Sequence, residues 1–243
     1  GGSDTGTTAS TLEAIKANGK IVWGVKNDTK LFGLKNPSTG DVEGFDIDIA
    51  KEITAIILGD ATKLEFKEVT SKTRIPMLNN GDIDGVIATM TITEERRQEV
   101  DFSEGYFEAG QSLLVKKGSA IQSIADLDAQ SKVIAVKGST SAINIREKAP
   151  DAQVLEFENY AEAFTALKAG QGDTLTTDNS ILFGMASDDS SYEVVGGTFT
   201  DEPYGIAMKK GGDDFVKAVN DALAELKSNG KYDEIYEKWI VLE

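Results

Sequence analysis

Apolar residues recur along this chain at two alternating periods. Residues 12–18 carry the spacing of a short helix, and 20–26 (KIVWGVK) is an apolar run bounded by lysines, the pattern of a buried strand. Helical spacing returns at 46–58, where Ile47, Ala50, Ile53, Ile56 and Ile57 share one face. A strand at 64–69, a helix at 74–79 and a strand at 85–88 complete a first series. A second begins near Gln111, with a strand at 112–116 and a short helix at 124–127. Strands at 132–137, 153–157 and 174–176 then alternate with helices at 140–148, 160–169 and 181–186. Strands at 192–195 and 205–208 precede two closing helices, 213–229 and 232–239. Such a βαβα rhythm predicts open, mainly parallel sheets flanked by helices. The run 132–137 (KVIAVK) echoes 20–26, a hint of two similar halves.

Composition narrows the chemistry. The 243 residues, 40% hydrophobic, are enough for two cores of roughly 100 residues each. No apolar run approaches the roughly 20 residues that span a bilayer, so no membrane insertion is expected. A formal net charge of −16 opposes binding to nucleic acid or to anionic membrane surfaces. Cysteine and histidine are both absent, which removes disulfides, thiolate nucleophiles, the commonest general base and the usual zinc ligands. No cofactor, metal or catalytic triad is expected. The first ten residues, GGSDTGTTAS, are small and polar and read as a disordered leader or tether.

The run 88–110, ATMTITEERRQEVDFSEGYFEAG, carries the most specific signal. An apolar strand end passes into alternating Thr89, Thr91 and Thr93. A helix follows with Thr93 as N-cap, Glu94 and Glu95 in its first turn, and Arg96 and Arg97 next. Hydroxyls and free N–H groups beside a guanidinium suit an anion. Completed by Asp101, Phe102, Ser103 and Tyr106, the segment resembles the ligand-binding stretch of the polar amino acid solute-binding proteins, the capture subunits of ABC importers. The likeness runs from about Thr11 to Trp239.

That resemblance implies an α/β, two-lobed periplasmic-binding-protein fold of type II (Venus-flytrap) with two hinge crossings. Residues 11–107 and 205–243 would form one lobe and 108–204 the other, with hinges near 106–110 and 201–205. It also implies a free amino acid as ligand, a membrane permease as partner, a monomer, and an extracytoplasmic setting. A cell-surface lipoprotein of a Gram-positive bacterium is favoured there over a periplasmic protein.

Within the family pattern Arg96 takes the α-carboxylate, helped by the Thr91 hydroxyl and N–H, while the Thr89 carbonyl faces the α-ammonium. Arg97 points away. In the second half Lys137-Gly138-Ser139-Thr140-Ser141 joins a strand to a helix start. Its N–H groups and the Thr140 hydroxyl suit the carboxylate's other edge. Asp178 reads locally as an N-cap, and by family position as the ammonium partner; one residue can do both. Lys26 closes the first strand at the ligand-facing end of the sheet. With Arg74 and the helix that Arg74 opens, it matches an acidic side chain. Arginine occurs at only four positions, 74, 96, 97 and 146, and bidentate recognition is a reason to keep one. Phe32 packs on the ligand's methylenes or fills a lobe edge. Ser71 contributes to specificity and Lys72 is solvated. The expected ligand order is glutamate, then glutamine, then aspartate. The competing class is a dehydratase-like enzyme on the same fold, acting on a prephenate-type carboxylate; Glu202 is the acid that it would need.

Overall fold

The computed structural model describes residues 11–240. The leader expected at 1–10 lies outside the described residues.

Helix α1 (Thr11–Asn18) leads into β1 (Ile21–Val25). Three very short strands follow, β2 (Asp28–Thr29), β3 (Gly33–Lys35) and β4 (Val42–Glu43), which pair as a small antiparallel sheet. Two or three residues cannot express a period, so the sequence gives no sign of them. Then come α2 (Phe45–Leu58), β5 (Leu64–Glu68), α3 (Arg74–Asn79), β6 (Gly85–Val86), α4 (Glu94–Arg97) and β7 (Val100–Phe102). Beyond β8 (Phe107–Ala109) and β9 (Gln111–Lys116), the chain builds β10 (Lys132–Val136), α5 (Thr140–Lys148), β11 (Gln153–Phe157) and α6 (Tyr160–Lys168). Next are β12 (Thr174–Asp178), α7 (Asn179–Asp188) and β13 (Tyr192–Val195). The return runs through β14 (Glu202–Tyr204), β15 (Ala207–Lys209), α8 (Asp213–Ser228) and α9 (Lys231–Trp239).

Two five-stranded sheets result, ordered β5-β1-β6-β15-β7 and β11-β10-β12-β9-β13. In each, the first three strands are parallel, and the fourth and fifth each run antiparallel to their neighbour. Strands β1 and β10, whose sequences echo one another, occupy the same second place. This is the two-lobed type II arrangement that the resemblance implies. Strand β8 carries the chain from the first sheet toward the second and β14 brings it back. The two pair as a ribbon, Phe107 opposite Tyr204 and Ala109 opposite Glu202.

The closing helices belong to the first lobe. Asp48 on α2 accepts hydrogen bonds from Trp239 Nε1 at 2.7 Å and Lys238 Nζ at 3.0 Å, fixing α9 against α2. Trp23 fills the space below, with its indole N–H donated to Thr54 at 3.0 Å. Gly44 precedes α2 at φ 149°, and a Cβ there would lie 2.3 Å from the Phe32 carbonyl, so only glycine lets the chain pass.

Phe32 is fully buried. Its ring meets Phe107 at 5.2 Å, Tyr204 at 5.8 Å and Phe45 at 5.9 Å between centroids, all edge-on. The expected alternative that it lies along a ligand's methylenes is therefore corrected; the ring fills the core beneath the ribbon. Phe32→Ala should lower the free energy of unfolding by about 3–5 kcal/mol in urea titration. A drop in ligand affinity at unchanged stability would return the ring to the site.

Candidate functional site

Parallel strands of both sheets end at the seam between the lobes, where open α/β sheets collect ligands. Lys26 directly follows β1, the segment 88–91 follows β6, Gly138 to Thr140 follow β10, and Asp178 is the last residue of β12. The polar cluster is thus assembled from four strand ends, two in each lobe. Lys26, Arg74, Thr89, Thr91, Ser141 and Asp178 are each 5% exposed or less, and Arg96 and Thr140 are half-buried. A groove of about 610 Å³ adjoins them, lined by Ser71, Arg96, Ser139, Thr140, Ile143 and Arg146 among others. Of the cluster, Arg96 and Thr140 line it, and Lys26, Arg74, Thr89, Thr91, Ser141 and Asp178 do not.

Lys26 donates to Ser71 Oγ at 3.1 Å and sits 4.6 Å from the centre of the Tyr160 ring, a cation–π contact made across the seam. Tyr160 in turn shares a hydrogen bond with Thr177 at 2.8 Å. Burial, and then the neighbouring Arg74 guanidinium, pull the Lys26 ammonium down to about 7. Arg74 donates to the Ala88 carbonyl at 2.9 Å. Burial, followed by the charge of Arg96, lowers its pKa to about 9. Arg96 reaches the Thr91 carbonyl at 2.7 Å and, across the seam, the Gly138 carbonyl at 3.1 Å. Thr93 caps the short helix that carries it, accepting from the Arg96 N–H at 3.1 Å. Gly138 can come so close because it has no Cβ: one would lie 2.7 Å from Lys72 Cα, and its φ is 79°.

Three carboxylates face these three cations. Asp178 occupies the N-cap position of α7, yet its side chain makes no capping bond. Instead Oδ2 accepts from the Tyr204 hydroxyl at 2.6 Å, and Oδ1 is buried without a partner. Burial pushes its pKa up to about 7, against the Tyr204 hydrogen bond. Glu202, 3% exposed, accepts at Oε1 from the hydroxyls of Thr140 and of Thr91 (3.3 Å), and at Oε2 from Thr200 at 2.9 Å. Asp46 accepts from the Tyr106 hydroxyl at 2.8 Å and the Thr89 N–H at 3.0 Å; burial pushes it up to about 7.

This geometry brings together Lys26, Arg74, Thr89, Thr91, Arg96, Thr140, Ser141 and Asp178. Two sequence expectations change. Lys137 is spent in a solvent-exposed ion pair with Glu158 at 2.6 Å, a carboxylate that Lys72 of the first lobe also approaches at 3.8 Å. Thr91 and Thr140 each have a single hydroxyl proton and donate it to Glu202. Only lone pairs are left for a ligand, so these hydroxyls offer acceptors where donors to a carboxylate were expected. Arg97 is exposed as expected, 3.6 Å from Glu94. Glu202, needed as a general acid in a dehydratase, spends both oxygens on hydroxyls.

Asp46, Tyr106, Tyr160 and Tyr204 were missed. Asp46 reads locally as a helix first-turn acid, and only the tertiary fold turns it inward. Among the described residues, the buried side-chain atoms without a hydrogen-bond partner are Asn27 Oδ1, Arg74 Nε, Ser141 Oγ and Asp178 Oδ1. Three of these belong to the predicted set. Buried polar atoms are ordinarily satisfied, so a convergent group of unsatisfied donors and acceptors is the mark of a binding site.

Comparison with known proteins agrees with this architecture. The sequence profile of the bacterial extracellular solute-binding proteins, family 3, matches residues 21–241. The chain is 70% identical over 230 residues to the ABC transporter glutamine-binding protein GlnH of Bacillus subtilis, covering 95% of this chain and 84% of that protein. It is 63% identical over 217 residues to a glutamine-binding protein of Geobacillus stearothermophilus, covering 89% and 83%. Among solved structures it is similar to an ancestral arginine-binding protein bound to glutamine, with a TM-score of 0.86 at 44% identity, covering 93% of this chain and 99% of that one. On the sequence match and the shared two-lobed fold, this chain belongs to the bacterial extracellular solute-binding proteins, family 3.

Proposed function

We propose that the chain captures free glutamine between its lobes and delivers it to a membrane ABC importer. The observation carrying the choice of side chain is the charge balance of the seam: Lys26, Arg74 and Arg96 against Asp46, Asp178 and Glu202. An amino acid's own ammonium and α-carboxylate cancel, so a glutamine leaves the balance intact, whereas a glutamate adds an unmatched buried anion. The sequence-based preference for glutamate counted Lys26 and Arg74 as a free positive field and left Asp46 out. The names of the relatives at 70% and 63% identity support the same reading.

In this proposal the α-carboxylate takes the Arg96 guanidinium and the N–H groups opening α5. The ammonium sits at Asp178 Oδ1, within reach of the Thr91 hydroxyl lone pair. The side-chain amide oxygen takes Arg74 Nε and Lys26. Because partners come from both lobes, residues 11–107 with 205–240 close on 108–204 about hinges near 106–110 and 201–205. The chain works as a monomer.

Calorimetric titration with glutamine, glutamate and aspartate tests the reading. Glutamine should bind at least about tenfold tighter than glutamate, the equivalent of ~1.4 kcal/mol; tighter glutamate binding would overturn it. Arg96→Ala should cost about 2–5 kcal/mol of glutamine affinity while the circular dichroism spectrum is unchanged. Full-strength binding by this variant would remove Arg96 from the α-carboxylate.

The protonation of Asp178 gives a further check. Its carboxyl is pushed up to about 7 without a ligand. An ammonium at Oδ1 favours the ionised form, so the complex holds fewer protons than the free protein near neutrality. Asp178 should therefore contribute a proton release at pH 7, read as the difference between the unmodified protein and Asp178→Asn by calorimetry in buffers of different ionisation enthalpy. Release that is absent at pH 7, or that persists in Asp178→Asn, would place the ammonium elsewhere.

A further inference from the structure

The segment that follows β6 holds a conformation that its residues would not choose. Thr89 has φ 48°, in the left-handed region that β-branched side chains avoid. It sits between the Ala88 carbonyl, which accepts from Arg74, and Thr91, whose carbonyl accepts from Arg96. A relaxed Thr89 would swing both carbonyls and both guanidinium groups away from the seam.

The Thr89 hydroxyl donates to the Ala88 carbonyl at 2.7 Å, and the Gly205 N–H holds the Met90 carbonyl at 2.9 Å, while the Thr89 N–H is held by one side chain. Asp46, in the first turn of α2 and 1% exposed, takes the Thr89 N–H on Oδ2 at 3.0 Å and the Tyr106 hydroxyl on Oδ1 at 2.8 Å. Helix α2 is itself anchored, since the Asp46 N–H donates to the Phe32 carbonyl at 3.1 Å. Tyr106 lies at the crossing, where its N–H donates to the Tyr204 carbonyl at 2.9 Å. Hence one buried carboxylate joins a rigid helix, the strained turn and the start of the ribbon.

We infer that Asp46 is a positioning residue for ligand capture, holding Thr89 in its left-handed conformation so that Arg74 and Arg96 meet the ligand, and tying that turn to the crossing through Tyr106. Asp46 acts through the backbone of 88–91 and does not itself touch the ligand. The inference rests on the proposed glutamine site.

A double-mutant cycle on glutamine affinity, read by calorimetry, tests it. Asp46→Ala should weaken binding by about tenfold, the Kd equivalent of relaxing one strained non-glycine residue. Glycine accepts the left-handed region without strain, so against a Thr89→Gly background the same substitution should cost less than about threefold. Asp46→Asn keeps an acceptor and should restore most of the affinity lost in Asp46→Ala. Equal losses in the two backgrounds, or native affinity in Asp46→Ala, would overturn the inference. If the alanine variant does not fold, Asp46→Leu, which fills the site without an acceptor, runs the same cycle. Failure of the unmodified protein to bind glutamine would instead refute the ligand assignment, which separates the two outcomes. Amide exchange at Thr89 provides a ligand-free reading: protection should fall in Asp46→Ala while that of β1 is retained, and unchanged protection would count against the tether.

Discussion

Charge taken out of water where two lobes meet governs this molecule. Lys26, Arg74, Asp46 and Asp178 are almost wholly buried, and each would cost several kcal/mol if left unmatched. They tolerate burial because each is placed against a partner: Lys26 on Ser71 and the Tyr160 ring, Arg74 on a strand-end carbonyl, Asp178 on Tyr204, Asp46 on Tyr106 and Thr89. Burial also moves Lys26 down and Asp46 and Asp178 up until all three stand near neutrality. The seam is consequently a place where an arriving zwitterion can settle without a large electrostatic imbalance.

The polar partners are divided between the two lobes. Tyr160 and Asp178 come from the second lobe; Lys26, Arg74 and Arg96 come from the first. Arg96 touches the Gly138 carbonyl and Glu202 collects hydroxyls from Thr91 and Thr140, so both bridge the seam directly. Away from this cluster, Asp28 accepts the Ala161 N–H at the start of α6 at 3.0 Å, and Lys30 pairs with Asp188 at 2.6 Å. The last pair is exposed and contributes little to stability. The hydrogen bond at the start of α6 is better placed, since it satisfies an N–H that the helix leaves open.

Glycine at two points lets the backbone approach that this arrangement needs. Gly44 clears the Phe32 carbonyl so that α2 can bring Asp46 inward, and Gly138 clears Lys72 so that Arg96 can reach across. Thr89 is different in kind: a non-glycine residue in the left-handed region persists only where its surroundings over-determine it.

By itself the sequence determined the architecture and pointed to most of the polar residues that meet in the seam. Its apolar periods predict the long helices and the buried strands to within a residue or two, because 3.6- and 2-residue periods are local properties. The run Thr89-x-Thr91-x-Thr93-Glu-Glu-Arg96 and the strand-ending Asp178 identified residues that the fold assembles. Tertiary structure alone decided the rest. Strands β2, β3 and β4 are too short to carry a period. Phe32 reads in sequence as either a ligand contact or lobe filling and Lys137 as a ligand contact; packing sends the first into the core and an ion pair with Glu158 takes the second. Asp46 looks like any first-turn acid, and only the path of α2 past Phe32 makes it a third buried carboxylate. The proposed preference for glutamine turns on that residue, because electrostatic balance is a sum over every charge in the seam and no local pattern contains the sum.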